Sequence, residues 1–333
     1  MPLDPRCHVR PSRTRFALRR FLSALALVLL WWGGAAGAAD GAAAGAPGPD
    51  PLSVFVSVVP LQTIVARIGG DQVRVRALVQ AGQNPHSYEP TARQVADLAG
   101  AGLLVRVGVP LEDAWLPRIR ATNPGLQVLD MRDGLTLRRN DRVEAGLGAG
   151  GGLDHGGHDN DSDHDHDHGH GGLDTHVWTS PPLVKSMGAA IRDALSDLRP
   201  GQAALFSANY ERLAADLDAL DADIRLRLKP LQVRRFLVFH PAWGYYADTY
   251  GLTQVAIEFE GKEPGPRALA GLIDAARAAG VRVVLVQPQF SPRAAQQVAQ
   301  AIGGRVESVD PLAADYFGTL RRVTEVIAGG EAK

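Results

Sequence analysis

From residue 52 onward, short apolar runs alternate with segments whose apolar residues recur every three or four positions. Ser53–Val58 is a β-branched run that predicts a buried strand, and Val59–Ile68 predicts a helix with Pro60 in its first turn. In Val73–Val79 apolar residues alternate with Arg74 and Arg76, the period of a half-exposed strand. Thr91 and Gln94 have capping-box spacing and open a helix over Ala92–Ala99. Leu103–Val107 predicts a further strand and Glu112–Arg120 a short helix. After Pro181-Pro182 a helix is expected as far as Leu198, where Arg199-Pro200-Gly201 breaks it. Gln202–Leu228 keeps a helical pattern throughout, with Leu213, Leu217, Leu220, Ile224 and Leu228 at three- and four-residue steps. At about 1.5 Å per residue such a helix spans roughly 40 Å. Beyond it the alternation resumes, with strands at Phe236–Phe239, Gln254–Phe259, Val281–Gln287 and Arg305–Val309. The helices between and after them are Pro266–Ala279, Pro292–Ile302 and Leu312–Ala328.

Strand–helix alternation on both sides of one long helix predicts an α/β protein. It has two lobes with parallel sheets flanked by helices, and the long helix is a strut between them. The implied organisation is an N-terminal α/β lobe over 52–201, a linking helix over 202–230 and a C-terminal α/β lobe over 231–330. Residues 40–51 are Ala, Gly, Pro and Asp, a flexible lead-in. Residues 146–172 are Gly, Asp and His with almost no apolar side chains, so they cannot build a core and read as a mobile surface loop within the first lobe.

The chain start has a different pattern. Six arginines (Arg6, Arg10, Arg13, Arg15, Arg19 and Arg20) precede an apolar stretch, Phe21–Trp32, and small residues follow from Gly33 to Ala39. The stretch is too short to span a bilayer comfortably, and the order of basic, apolar and small residues is that of a secretory signal peptide over 1–39, cleaved near Ala38/Ala39. Arg19-Arg20-Phe21-Leu22 lacks the spacer of a twin-arginine signal, so the general secretory route is expected. The single cysteine, Cys7, lies upstream of the apolar stretch, where it cannot be a lipid-anchor site. The mature chain would then have no cysteine, which excludes disulfides, thiolate zinc sites and cysteine enzymes. These features predict a periplasmic protein that is not itself embedded in the membrane.

Of 333 residues, 45% are hydrophobic and 21% charged, a globular balance, and the net charge is −1. The near-neutral total argues against nucleic-acid binding through a general positive field. It conceals a net +5 in the first 39 residues, and the −6 that remains equals the six aspartates between Asp154 and His170. No GxGxxG or P-loop is present, which argues against nucleotide binding.

The histidines bear on function most directly. His8 lies in the signal, and His155, His158, His164, His166, His168 and His170 lie in the Gly/Asp/His loop. The predicted lobes keep three: His86, His176 and His240. Each is in a segment rich in turn residues or at a strand end, and Asp310 also follows a strand. Ligands of open parallel sheets bind beyond the carboxyl ends of strands, where His240 and Asp310 are expected. Three imidazoles and a carboxylate make a tetrahedral zinc set; imidazole also suits copper, nickel and iron, whereas manganese prefers a larger share of oxygen ligands. Spacing alone leaves a structural hydrogen-bonding role open for each histidine.

Several segments, in order, resemble the zinc/manganese family of periplasmic substrate-binding proteins of ABC transporters, cluster A-I. They are Asn84-Pro85-His86-Ser87-Tyr88-Glu89-Pro90-Thr91, Asp174-Thr175-His176-Val177-Trp178 and His240-Pro241-Ala242-Trp243-Gly244-Tyr245-Tyr246, with Glu263-Pro264 and Val309-Asp310-Pro311-Leu312. The resemblance covers about residues 52–328 and implies two α/β lobes joined by a rigid long helix, with one metal ion between them. It implies His86 and His176 as ligands from the first lobe, and His240 and Asp310 from the second. Manganese-type members carry a carboxylate where this chain has His240, so the chain is similar to the zinc-uptake branch. Thr175 departs from the proline usual there. The implied role is capture of Zn2+ at one tight site and its delivery, as a monomer, to the membrane permease of an ABC transporter.

The loop has its own chemistry. Asp163-His164-Asp165-His166-Asp167-His168 offers imidazole and carboxylate at alternate positions, enough to chelate metal without a fold. Ordering it costs chain entropy, so auxiliary binding weaker than at the lobe site is expected. By sequence proximity, Asp174 and Glu89 are expected to accept ring N–H bonds from ligand histidines, and Tyr88, Trp178, Trp243 and Tyr245 to pack around the site. Because ligating imidazoles must be neutral, affinity is expected to fall below about pH 6.5. The alternatives are a manganese or other divalent-metal protein of the same family, a secreted zinc hydrolase, and a metal buffer acting through the loop. The hydrolase lacks an HExxH motif.

Overall fold

A computed structural model describes residues 50–139, 172–258 and 262–330. The proposed signal peptide, the lead-in up to residue 49, nearly all of the His/Asp segment and Phe259 lie outside the described residues.

The first lobe begins with β1 (Leu52–Val58), whose alternating and β-branched apolar residues are almost all buried. It runs directly into α1 (Val59–Gly69), with Pro60 in the first turn, where a missing N–H costs nothing. β2 (Val73–Val79), α2 (Ala92–Leu98), β3 (Leu103–Arg106), α3 (Pro110–Thr122) and β4 (Gln127–Asp130) follow. All strands are parallel in the order β2-β1-β3-β4. Then come α4 (Pro181–Leu198) and α5 (Ala203–Leu228), the latter 26 residues and about 39 Å long. The second lobe has β5 (Arg235–Val238), α6 (Gly244–Tyr250), β6 (Thr253–Ala256), α7 (Pro266–Ala278), β7 (Val283–Val286), α8 (Arg293–Ala301), β8 (Arg305–Ser308) and α9 (Tyr316–Ala328). Its parallel sheet repeats the first lobe's order as β6-β5-β7-β8.

The structure has the two parallel sheets and the long helix expected from the sequence, and differs in three places. β4 is a four-residue strand and α6 a seven-residue helix, both too short to show a period, and neither was anticipated. The last helix starts at Tyr316, not Leu312, because the Asp315 side chain caps it by accepting the Gly318 N–H at 2.9 Å. Residues 311–312 are thereby left free of helix and line the pocket described below.

α5 buries Phe206, Leu213, Leu217, Leu220, Ile224 and Leu228 along one stripe, packing on α1 and α4 of the first lobe and on α9. Asp221–Arg225 and Asp223–Arg227 pair on its exposed side at the i,i+4 spacing, acid preceding base as the helix dipole favours. One continuous apolar core runs from β1 and α1 through α5 to Phe236, Trp243, Tyr246 and α9. A second cluster fills the far side of the second sheet. Because the first core crosses from lobe to lobe, the lobes share buried surface as well as a linker. Among the described residues no helix is long and apolar enough to cross a membrane.

Candidate metal site

The sheet topology fixes where a ligand can sit. In the second sheet the chain steps from β5 out to β6 and then to β7 on the other side, so a crevice opens between the ends of β5 and β7. His240 lies two residues beyond β5, and Gln287, one residue beyond β7, spans the crevice with its Nε2 donating to the His240 carbonyl at 3.1 Å. Parallel pairing continues past β6, where Glu258 N–H donates to the Phe239 carbonyl at 3.0 Å. This places Glu258 Oε1 2.5 Å from His240 Nδ1. The other ring face stacks on Phe290, centroids 5.1 Å apart and planes at 23°.

His176 arrives from the first lobe. It precedes a single 3-10 turn, Val177–Thr179, and its backbone N–H and ring Nδ1 both face Asp174 Oδ1, at 2.9 and 2.8 Å. Asp174 is buried and pinned across the lobes: its carbonyl accepts from Tyr245 Oη at 2.9 Å, and that same hydroxyl accepts the Arg138 N–H at 3.0 Å. Gly244, the first residue of α6, is needed here, since a Cβ on it would lie 2.7 Å from Asp174 Oδ2. The chain leaves the described residues at Arg139 and returns at Gly172, and Arg139 pairs with Leu173 in an antiparallel bridge. In sequence the His/Asp segment ends four positions before His176.

His86 comes from the loop between β2 and α2, and Gln94 holds that loop. Its side-chain oxygen accepts the N-cap N–H of Thr91 at 2.9 Å and the Tyr88 hydroxyl at 2.7 Å, while its Nε2 donates to the Leu78 carbonyl at 2.7 Å. The Thr91/Gln94 capping box is formed as the sequence suggested. Asn84 Oδ1 accepts the His86 N–H at 2.9 Å.

The three imidazoles meet. Each offers a nitrogen within 4.8 Å of the others, and ring centroids are 5.1 to 5.7 Å apart. A tetrahedral zinc holds such nitrogens about 3.3 Å apart, so a contraction of at most about 1.5 Å per pair would close the set. They line a pocket with about 260 Å³ of empty space, together with Asn84, Gln287, Gln289, Phe290, Pro311 and Leu312. His240 Nε2 is buried and has no hydrogen-bond partner among the described residues, as a nitrogen reserved for a metal would be.

Burial and neighbouring charge lower the pKa of two of the rings. Burial in the pocket, then repulsion from His176 and His240, lowers the His86 pKa to about 3, although the residue as a whole is exposed at the pocket mouth. Burial also depresses His240 and outweighs the opposing bond to Glu258. For Asp174 burial acts upward, but the His176 ring and N–H bonds and the Arg138 charge hold the carboxyl below its usual range. Two of the three rings therefore resist protonation more than an ordinary histidine does.

The remaining sequence-selected residues are placed as follows. Asp310 lies outside the group of three: its Oδ1 accepts the Leu312 N–H at 2.9 Å, and both oxygens accept from Gln289 Nε2 at 3.1 Å. Glu89 is exposed. Trp178 is buried beside His176 and donates to the Pro311 carbonyl at 2.8 Å, from one lobe to the other. His155, His158, His164, His166, His168 and His170 lie outside the described residues. Glu258, Gln287, Gln289 and Phe290 were not singled out from the sequence. The strand preceding each glutamine was the only signal that could have pointed to them.

The comparisons with known proteins agree on one family. A family model described as "ZnuA: Zinc-uptake complex component A periplasmic" matches residues 54–330. The high-affinity zinc uptake system protein ZnuA of Yersinia pestis is 29% identical over 267 residues, 78% of this chain and 83% of that protein. The zinc-binding lipoprotein AdcA of Streptococcus pneumoniae serotype 4 is 28% identical over 263 residues, 78% of this chain and 50% of that one. The chain spans about half the length of the AdcA relatives it matches. A crystal structure of ZnuA superposes with a TM-score of 0.73 at 34% identity, covering 84% of this chain and 99% of that one. With the fold, the meeting of three histidines and the match over 54–330, the chain belongs to the ZnuA family of periplasmic zinc-uptake components.

Proposed function

We propose that this protein captures Zn2+ between its lobes with His86, His176 and His240, Asp310 completing a tetrahedral set, and hands the ion to the permease of an ABC importer. The observation that carries the reading is the convergence of three imidazoles from three separate loops, one with a buried, unpartnered Nε2. Nitrogen-rich donors favour zinc over manganese, and the names of the Yersinia and pneumococcal relatives support the same cargo. To reach the ion, Asp310 gives up its bonds from Gln289 and keeps the one from Leu312 N.

Capture and release suffice for this role, and no turnover is required of the site. His176 and His240 each have a carboxylate at Nδ1, whereas the His86 ring has no such partner among the described residues. His86 is accordingly the last ligand to close on the ion and the first to leave. The wider reading is of an exported periplasmic monomer, cleaved near Ala38/Ala39. In it, His155, His158, His164, His166, His168 and His170 supply weaker auxiliary metal binding.

The test is a zinc and manganese titration against a competing chelator, using metal-stripped mature protein lacking residues 154–172. One tight zinc per chain, much weaker manganese, and loss of the site in His240→Ala are expected. Asp310→Ala should weaken zinc less than removal of any one histidine. Absence of a tight site would show that the three histidines do not act together.

A further inference from the structure

Outside the ligand set, the side chain with the least ordinary surroundings is Glu258. It is 3% exposed, and the continued pairing beside β5 fixes its backbone next to that of His240. Oε1 is bonded to His240 Nδ1 at 2.5 Å, and Oε2 is buried with no hydrogen-bond partner among the described residues. Burying a carboxylate is costly unless charge and hydrogen bonds compensate it, and a single imidazole N–H supplies only part of that compensation. The opposite ring nitrogen, His240 Nε2, is likewise buried and unpartnered, and it faces the other two imidazoles. An imidazole that donates from Nδ1 keeps its lone pair on Nε2. A cation at Nε2 would satisfy both orphaned atoms at once, the nitrogen by coordination and the carboxylate by charge.

We infer that Glu258 is a positioning residue of the metal site: it accepts the Nδ1–H of His240, and so fixes the tautomer and ring orientation that present Nε2 to the ion. The inference rests on the zinc reading above. Asp174 faces His176 in a similar way but also takes the His176 backbone N–H. Its removal therefore disturbs the fold as well as the metal. Among the described residues the hydrogen bonding of the Glu258 side chain is confined to the His240 ring, so its two roles separate more cleanly.

The experiment compares wild type, His240→Ala and Glu258→Gln, each as the full mature chain stripped of metal. Zinc affinity is read by chelator competition, and metal-free stability by melting temperature. Glu258→Gln should weaken zinc ten- to a hundredfold while the metal-free melting temperature stays level or rises, since an under-compensated buried charge has been removed. Unchanged affinity overturns the inference, as does a loss of affinity accompanied by a lowered metal-free melting temperature, which marks a structural role. If the variant does not fold, ¹⁵N-resolved NMR of the histidines in metal-free wild type decides: the Nδ1–H tautomer at His240 supports the inference and the Nε2–H tautomer overturns it. A wild type with no tight zinc site, or a His240→Ala variant that keeps one, removes the zinc reading itself. That outcome is seen without the Glu258 variant.

Discussion

Asp174 offers the sharpest separation of folding from metal binding in the first lobe. Its Oδ1 accepts both the backbone N–H and the ring Nδ1 of His176, at 2.9 and 2.8 Å, and the side chain is buried. Asp174→Ala leaves two buried donors without an acceptor. At about 1–3 kcal/mol for each, the metal-free protein should lose about 2–6 kcal/mol of stability. Asp174→Asn keeps an oxygen where Oδ1 stands and so keeps both bonds, but removes the charge. Its stability should stay within about 1 kcal/mol of wild type, while zinc affinity falls about 10–100-fold, or about 1.4–2.7 kcal/mol. The pH signature follows from the depressed carboxyl pKa. Stability contributed by a carboxylate with a lowered folded pKa is fully present above the ordinary value of about 3.9 and is lost as pH falls through the folded one. The wild type should therefore lose its advantage over Asp174→Ala only below about pH 4. Urea unfolding of the metal-free proteins at pH 7 and pH 3 measures the first effect, and chelator competition measures the second. An alanine variant that binds zinc as tightly as wild type would refute the reasoning, as would an asparagine variant as unstable as the alanine one.

Burial, then repulsion from His176 and His240, lowers the His86 pKa to about 3, so His86 stays neutral between pH 6.5 and 5. Since zinc needs neutral imidazole, affinity is lost as pH falls through each folded pKa, so the three rings cannot all titrate in that window and log affinity should drop by less than about three per pH unit. A slope of three would mean that the pocket does not keep the His86 ring neutral. Gln94→Ala removes the capping box and the tether to Leu78. It should cost about 1–2 kcal/mol of stability and speed zinc release through the freed His86 loop. Stopped-flow release into excess chelator checks this, and an unchanged rate would dismiss Gln94 as a support of the site. Removing residues 154–172 should abolish weak zinc binding by calorimetry and leave one tight site; disappearance of the tight site would make the segment the functional element.

Local periodicity by itself determined the two α/β halves and the long helix. The β-branched run of β1, the buried VVLV of β7 and the three- and four-residue leucine steps of α5 commit those segments to one period before any tertiary contact forms. The three lobe histidines were also legible, because all the others fall in segments that cannot build a core or in the basic leader. What the chain order could not contain was distance. β4 and α6 are too short to carry a period and exist because neighbouring strands and helices hold them. Asp174 and Glu89 look alike in sequence, each within three residues of one of the three lobe histidines. Only packing buries Asp174 under Tyr245 and Gly244 and leaves Glu89 exposed. Glu258 stands 18 residues from His240, and parallel strand pairing alone brings the two side by side. The three candidate histidines were thus legible from composition, whereas the carboxylates bonded to their rings were set by sheet topology, because a hydrogen bond depends on an approach that only the folded chain provides.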